Sequence, residues 1–370
     1  MMMILRSLVV SVLLGSLAWG AQPTTVPAEA LGPAVDVFVS GQEGYRTYRI
    51  PSLLVTAKGT LLAFAEGRKN GASDAGHIDL VLKRSTDHGR SWSDLQVVAA
   101  DPPNTIGNPC PVVDRDTGTI WLLLTRNLGE DAEHEIIAGT SKGTRTVLVS
   151  SSTDDGVSWS KPVDITATTK LPRWAWYATG PGVGIQLRSG RLLIPCDHQV
   201  LGAARSRSHV IFSDDHGKTW KLGGVVGEGV NECQAVELGD GSIMINMRGS
   251  GRSQRSRTVA ISRDGGQSWL PMVEDATLIE PVCQASLVRF AGGTGREACV
   301  LFCNPASQQK RERLTLRISH DEGRTWPVSK LIYPGPAAYS CLAVLADATV
   351  GCLYERDGYR KITFVRVAME

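Results

Sequence analysis

An eight-residue pattern, S-x-D-x-G-x-[ST]-W, occurs five times along this chain. Its copies begin at Ser85, Ser152, Ser213, Ser262 and Ser319. Asp, Gly and a hydroxyl residue in this order suit a tight hairpin turn, because the carboxylate accepts backbone N–H bonds and glycine permits a positive φ. The tryptophan that ends each copy can then pack between neighbouring units. The pattern therefore predicts a protein built from repeated β-units.

A second series of apolar hairpins accompanies the pattern, each built around one turn residue. The turn residues are Gly59, Gly118, Gly190, Gly241, Gly295 and Ala348. Their separation of roughly 50 to 70 residues suits one four-stranded propeller blade each. Helical periodicity is nearly absent, which disfavours an α/β barrel. We therefore predict an all-β fold, namely a six-bladed β-propeller of four-stranded antiparallel blades.

The sixth unit shows only three strands, the last of them over Lys361–Val367. Residues 35–39, ahead of the first hairpin, are predicted to supply the fourth strand. This pairing would close the ring of blades and leave no exposed sheet edge.

The first residues predict a signal peptide over 1–20, because Arg6 precedes an apolar run at 8–14 and small residues follow. A disordered start or a single membrane anchor is the alternative, but the run is shorter than the roughly 20 residues that span a bilayer. Residues 21–34 are interpreted as a linker and 35–370 as the propeller domain. The expected location is the periplasm, the cell surface or the medium.

The formal net charge is only +2, from 39 basic and 37 acidic residues. Such a balance gives no overall field for nucleic acid or an anionic membrane, so any anion site must be local. The eight cysteines form no C-x-x-C pair and fall mostly in apolar runs. We expect buried free thiols, with disulfides as the alternative, and neither a metal site nor a cofactor.

Charged and amide side chains stand at the ends of the apolar inner strands, opposite the hairpin turns. They are Arg49, Asn108, Glu232 and Tyr339 where strands begin, and Glu66, Asp197, Arg248 and Glu355 where strands end. Each could be a solvated strand end or a surface ion pair. Because loops at one end of a propeller converge, the set also fits one shared pocket. Converging arginines indicate a carboxylate ligand, and a tyrosine beside a glutamate indicates a phenol whose proton has an acceptor.

The run Tyr48-Arg49-Ile50-Pro51 resembles the [FY]-R-I-P motif of the bacterial-type exo-α-sialidases (neuraminidases), and the repeated pattern resembles their Asp boxes. The resemblance covers essentially residues 36–370. It implies that Arg49, Arg248 and Arg311 bind the carboxylate of sialic acid. Arg313 is the neighbouring alternative for the third arginine.

The same resemblance implies roles for the remaining candidates. Asp74 would be the acid/base, Tyr339 the nucleophile and Glu232 its proton acceptor, while Glu355 would orient Arg49 and Arg68 would contact a ring hydroxyl. Sialic acid carries its carboxylate on the anomeric carbon, so a neutral tyrosine meets no like charge there. Sialidases are for this reason an exception to the pair of catalytic carboxylates that most glycosidases use.

The expected function is retaining hydrolysis of terminal α-linked sialic acid from glycoproteins, glycolipids or oligosaccharides, through a covalent tyrosyl intermediate. The expected protein is a monomer that needs no nucleic acid partner and has no membrane span once the signal is removed. Three alternatives remain open: action on a related nonulosonic acid or transfer to another sugar, a propeller that only binds glycans, and a purely structural propeller.

Overall fold

The computed structural model describes residues 31–369, apart from 251–254, 293–294 and 296. The predicted signal peptide, residues 1–20, and the linker up to residue 30 lie outside the described residues. Regular structure in the described chain is almost entirely β-strand, so the all-β prediction is confirmed. Two short helices interrupt it, α1 (Glu133–Ala138) and α2 (Thr166–Thr169). Within the described ranges, no helix has the length and apolar character to cross a membrane.

The strands follow one another at short intervals. In chain order they are β1 (Val35–Val39), β2 (Thr47–Val55), β3 (Leu61–Arg68), β4 (Ile78–Ser85), β5 (Gln96–Ala99), β6 (Thr105–Val113), β7 (Ile120–Asn127), β8 (Thr146–Ser152), β9 (Val163–Asp164), β10 (Trp174–Thr179), β11 (Ile185–Gln186), β12 (Leu192–Val200), β13 (Ser206–Ser213), β14 (Lys221–Glu228), β15 (Val230–Glu237), β16 (Ile243–Gly249), β17 (Ser256–Ser262), β18 (Val273–Ile279), β19 (Ser286–Phe290), β20 (Cys299–Pro305), β21 (Glu312–Ser319), β22 (Val328–Val344), β23 (Val350–Arg356) and β24 (Lys361–Val367).

Consecutive strands pair antiparallel in successive groups, which we number along the chain. Group one is β2 to β5, group two is β6 to β9, and group three is β10 to β14, with β10 and β11 both along β12. Group four is β15 to β18 and group five is β19 to β22. The long strand β22 pairs with β21 through its first part and with β23 through its second part. Group six is therefore the end of β22 with β23, β24 and β1.

Strand β1 pairs antiparallel with β24, with Val35 opposite Phe364. Residues 35–39 thus supply a fourth strand to the last group, as the sequence predicted. This pairing joins the two ends of the described chain in one sheet and covers the edge of β24.

In four groups the first strand carries an irregularity near its beginning, at the end opposite its hairpin turn. These inner strands are β2, β6, β15 and, in group six, the second part of β22. The register shifts fall between Arg49 and Ser52, between Gly107 and Cys110, between Val230 and Cys233, and between Ala337 and Ser340. A bulge turns side chains out of the regular alternation of a strand, and bulges are common beside active sites. Here the bulges lie beside or contain the polar residues that the sequence placed at the strand beginnings.

All five repeated turns are built in the same way, and the third copy illustrates it. The Gly217 amide donates to Ser213 Oγ at 2.8 Å, and the Ser213 hydroxyl donates to the Asp215 carboxylate at 2.8 Å. The Thr219 amide donates to the same carboxylate oxygen at 2.9 Å. Gly217 adopts a φ of 85°. The predicted turn chemistry is therefore present, with the carboxylate closing the turn through N–H and O–H donors.

Each repeated turn also contacts the preceding group. Trp220 of group three lies with its ring centroid 6.5 Å from that of Trp121 in group two. Trp159 of group two packs edge-on against Phe64 in group one, at 5.6 Å. Trp92 of group one packs against Phe364 in group six, at 5.5 Å. The prediction that these tryptophans pack between neighbouring units is confirmed.

The hydrophobic clusters run between neighbouring groups, and the cysteines are part of them. All eight cysteines are buried and unpaired, which confirms the expectation of buried thiols over disulfides. Cys110 and Cys196, for example, share one cluster between groups two and three.

Replacement of Gly217 by alanine should destabilise the fold through a clash between groups. A Cβ there would lie 2.1 Å from the Trp121 ring, which we expect to cost about 1–3 kcal/mol beyond the backbone penalty of a positive φ. Gly118→Ala is the matched control, because Gly118 has a φ of 74° but its added Cβ would meet no atom within 4 Å. Thermal unfolding should give a lower Tm for Gly217→Ala than for Gly118→Ala, and equal Tm values would contradict the contact.

Candidate active site

A cavity of about 200 Å³ opens where the bulged ends of the inner strands meet. Seven of the eight predicted site residues line it: Arg49, Arg68, Asp74, Glu232, Arg248, Arg311 and Tyr339. A larger cavity of about 730 Å³ lies at the hairpin end of the same strands, lined mainly by aliphatic side chains. We assign the chemistry to the smaller cavity, because acids, guanidinium groups and a phenol converge there.

Glu355, the eighth predicted residue, is fully buried just behind the cavity wall. Its Oε1 accepts hydrogen bonds from Arg49 Nε at 2.8 Å and from the Ile50 amide at 2.9 Å. Its Oε2 accepts a hydrogen bond from the Tyr339 amide at 3.0 Å. Burial acts to lower the pKa of Arg49, but the Glu355 carboxylate outweighs it and the pKa is raised. One carboxylate thus holds both the first arginine and the backbone of the tyrosine.

The Tyr339 hydroxyl donates a hydrogen bond to the Glu232 carboxylate. Arg248 Nη1 donates to Tyr339 Oη at 3.0 Å and to the other oxygen of Glu232. Burial, reinforced by the Glu232 charge and opposed by Arg248, raises the pKa of Tyr339 well above its ordinary value. The phenol is therefore neutral near pH 7, with a proton acceptor already hydrogen-bonded to it.

Three guanidinium groups surround this tyrosine. Arg49 Cζ lies 5.2 Å and Arg311 Cζ 5.5 Å from the centroid of the Tyr339 ring, and Arg248 contacts its hydroxyl. Arg311 is held by hydrogen bonds to the Tyr359 hydroxyl at 3.1 Å and to the Val282 carbonyl at 3.0 Å. Arg313 is exposed and does not line the cavity. The geometry therefore favours Arg311 over Arg313 as the third arginine.

Asp74 lies at the rim of the cavity, with 62% of its side chain exposed. Its Oδ1 is 2.7 Å from Arg68 Nη2, and Arg68 is buried and also donates from Nε to Glu66 at 3.0 Å. Partial burial acts to raise the pKa of Asp74, but the charges of Arg68 and Arg49 outweigh it and the pKa is lowered. In this structure Arg68 therefore holds the carboxylate of Asp74, in addition to facing the cavity.

The cavity is also lined by residues that the sequence did not single out. They are Glu133, Arg145, Trp176, Ala178, Ser206 and Asn231, beside Asp197, which was among the strand-end candidates. Arg145 and Ser206 each stand seven residues before the serine of an Asp box, at the start of a third strand. Counting back eight residues from those serines, as for Arg311, reaches Thr144 and Arg205, one position before each of them.

Comparison with known proteins shows which family the chain resembles. Residues 59–352 match the family described as a BNR repeat-like domain. A sialidase of Micromonospora viridifaciens is 40% identical over 353 residues, which cover 90% of this chain and 53% of that protein. An exo-alpha-sialidase of Arthroderma benhamiae is 33% identical over 88% of this chain and 82% of its own length. The chain thus spans about half the length of the first of these relatives.

Among solved structures, the Hadza microbial sialidase Hz136 superposes with a TM-score of 0.85 at 32% sequence identity. The match covers 91% of this chain and 68% of that one. The family model matches most of the chain, and the two relatives each match about nine-tenths of it. The fold is shared with a solved sialidase structure. The chain belongs to the sialidase family that carries BNR repeats.

Proposed function

We propose that this protein is an exo-α-sialidase, which hydrolyses terminal α-linked sialic acid from glycoconjugates with retention of configuration. One observation carries the proposal: a buried tyrosine hydroxyl is hydrogen-bonded to a glutamate inside a ring of three arginines. The relatives named sialidase support it. Every proposed role falls on this one chain, which supports a monomer as the working unit.

The arginines give the cavity its substrate preference. A guanidinium binds a carboxylate through two parallel N–H bonds, and three of them here face the same space. The carboxylate of sialic acid sits on the anomeric carbon, so its capture by Arg49, Arg248 and Arg311 would bring that carbon to Tyr339. Holding the reacting atoms in this way is a large part of catalysis.

The first chemical step would join Tyr339 Oη to the anomeric carbon and break the bond to the glycosidic oxygen. Glu232 takes the phenol proton, and Asp74 donates its proton to the departing oxygen. In the second step Asp74 takes a proton from water, which attacks the anomeric carbon. The bond to Tyr339 breaks and the phenolate regains its proton from Glu232. Two inversions give net retention.

The position of Asp74 suits its part in both steps. The leaving group departs toward the rim, and water enters from there. An aglycone that covers the exposed carboxylate removes water from it, which raises the pKa of Asp74 and favours the protonated form that the first step needs.

We propose further that the six strand groups are the blades of a six-bladed β-propeller. The pairing of β1 with β24 and the contact of each repeated turn with the preceding group support a closed ring.

Removal of the nucleophile by Tyr339→Phe should lower kcat/KM by roughly a thousandfold or more. The arginines remain, so binding of free sialic acid should change far less. Hydrolysis of a fluorogenic α-ketoside of N-acetylneuraminic acid measures the first quantity, and calorimetry the second.

Tyr333→Phe is the matched control, because the Tyr333 hydroxyl bonds to Asp357 away from the cavity. Its activity should stay near that of the wild type. If Tyr339→Phe retained more than about a tenth of wild-type kcat/KM, the proposed nucleophile would be wrong.

The charge of Arg68 should set the pH range of activity. Asp74 must be protonated to act as an acid, so kcat/KM falls as pH rises through its pKa, which Arg68 lowers. The double change Glu66→Gln/Arg68→Gln removes that charge without leaving Glu66 ionised and unpaired. We expect the alkaline limb of kcat/KM to move to higher pH by about one unit.

The pH profile should be measured on sialyllactose, whose leaving group needs a proton, by release of free sialic acid. Arg68→Lys keeps a positive charge beside Asp74 and should leave the limb closer to its wild-type position. A limb that moved to lower pH in the double variant, or not at all, would contradict the role of Arg68.

A further inference from the structure

Tyr359 contacts two of the three arginines that surround Tyr339, and it does so with different parts of its side chain. The Arg49 guanidinium lies over the Tyr359 ring, with Cζ 4.2 Å from the ring centroid. The Tyr359 hydroxyl accepts a hydrogen bond from Arg311 Nη1 at 3.1 Å. Tyr359 does not itself line the active-site cavity. Any effect of Tyr359 on a bound substrate therefore passes through these two arginines.

The backbone around Tyr359 holds its side chain in this position. Tyr359 lies in the turn between β23 and β24 with a φ of 66°, which is in the left-handed region. A residue other than glycine adopts this conformation at a cost in free energy, and such residues concentrate at functional sites. The Tyr359 carbonyl accepts a hydrogen bond from Ser40 Oγ at 2.8 Å. The turn thus presents the tyrosine side chain from an anchored backbone.

Arg311 depends on Tyr359 more than Arg49 does. Glu355 holds Arg49 through an ion pair at 2.8 Å. Within the described chain, the hydrogen bonds of the Arg311 guanidinium go to the Tyr359 hydroxyl and to the Val282 carbonyl. An arginine side chain has several rotatable bonds, so the loss of one of two anchors frees it to leave the orientation that a carboxylate needs. Tyr359 therefore directs the Arg311 guanidinium.

The Tyr359 hydroxyl accepts this hydrogen bond without bringing a negative charge. A carboxylate in its place would form an ion pair with Arg311 and would compete with an anionic ligand for it. A neutral oxygen orients the guanidinium and leaves its charge available to the ligand.

We propose that Tyr359 is a positioning residue, which aligns Arg311 and Arg49 for the carboxylate of the substrate and leaves the charge of Arg311 uncompensated. This inference rests on the proposed sialidase function. The hydroxyl orients Arg311, and the ring covers one face of Arg49. A guanidinium binds a carboxylate best through two parallel N–H bonds, so a misdirected Arg311 weakens substrate binding.

Tyr359→Phe removes the hydroxyl and keeps the ring over Arg49. We expect KM for a fluorogenic α-ketoside of N-acetylneuraminic acid to rise about tenfold, with kcat within about threefold of the wild type, because the lost hydrogen bond orients a charged group that binds the substrate. The Kd of free N-acetylneuraminic acid, measured by ligand-observed NMR, should rise by a similar factor. Unchanged KM and Kd values, or a fall in kcat alone, would overturn the proposal.

Tyr45→Phe is the matched control. The Tyr45 ring also lies against a cation, with Lys69 Nζ 3.8 Å from its centroid, and its hydroxyl also bonds to a side chain, that of Asp79, at 2.8 Å. Tyr45 does not line the active-site cavity. Its KM and Kd should stay near those of the wild type, and an equal rise in both variants would count against a specific role for Tyr359.

The effect of Tyr359 should disappear when Arg311 is absent. In an Arg311→Met protein, the added change Tyr359→Phe should alter the Kd of N-acetylneuraminic acid by less than about twofold, because the two residues act as one unit. A merely structural role for Tyr359 predicts that the two effects multiply, and that result would contradict the proposal.

The variants Tyr359→Glu and Tyr359→Gln separate charge from shape, because the two side chains have the same size. We expect a Kd for N-acetylneuraminic acid about tenfold weaker in the Glu variant, whose carboxylate occupies Arg311. Equal Kd values in the two variants would show that an uncompensated Arg311 is not required.

The outcomes separate this inference from the proposed function. If the wild type neither hydrolyses the ketoside nor binds N-acetylneuraminic acid, the proposed sialidase function fails. If the wild type does both and folded Tyr359→Phe protein matches it in KM and Kd, the sialidase stands and the role of Tyr359 is overturned. Thermal unfolding of each variant establishes that it is folded.

Discussion

The contact between each repeated turn and the preceding strand group sets where every other part of this protein lies. A Cβ on Gly89 would meet the ring of Phe364 at 2.1 Å, and one on Gly217 would meet Trp121 at the same distance. Only glycine permits so close an approach together with a positive φ. Because the cavity is assembled from strand ends in different groups, a change in the angle between two groups would move its side chains apart. The repeated turns lie at the face away from the cavity, yet they determine the spacing of the arginines in it.

Three of the arginines that line the cavity each form an ion pair with a glutamate, and Arg311 does not. Glu355 holds Arg49, Glu66 holds Arg68 and Glu232 holds Arg248. Arg311 is held instead by a phenol hydroxyl and a backbone carbonyl. Its charge is therefore the least compensated of these four, and in the proposed complex the substrate carboxylate would gain most from it.

The sequence predicted those parts of the structure that a repeat or a motif marks. The Asp boxes located the turns, the hairpin glycines located the inner strands, and the ends of those strands located Arg49, Glu232 and Tyr339. The pairing of β1 with β24 followed from a missing strand. These features could be predicted because turn chemistry and strand alternation are local properties of a sequence.

Other parts depend on contacts between distant segments, which a sequence alone does not reveal. Trp176 and Arg145 are 31 residues apart in number but stack on each other in the cavity wall. The choice between Arg311 and Arg313 depended on which side chain the start of β21 turns inward. The sequence showed Glu66 as a strand-end acid, but its ion pair with Arg68 is revealed only by the folded structure.

Tyr339 and Asp74, the proposed nucleophile and acid, differ in exposure, and this difference bears on the range of substrates in the proposed reaction. Tyr339 is buried at the floor, whereas Asp74 stands at the rim with most of its side chain in solvent. In the proposed reaction, recognition is thus concentrated on the terminal sugar of a glycan, and the chain attached to it stays outside. A sialidase of this design would act on many different carriers, provided that each presents the same sugar at its end.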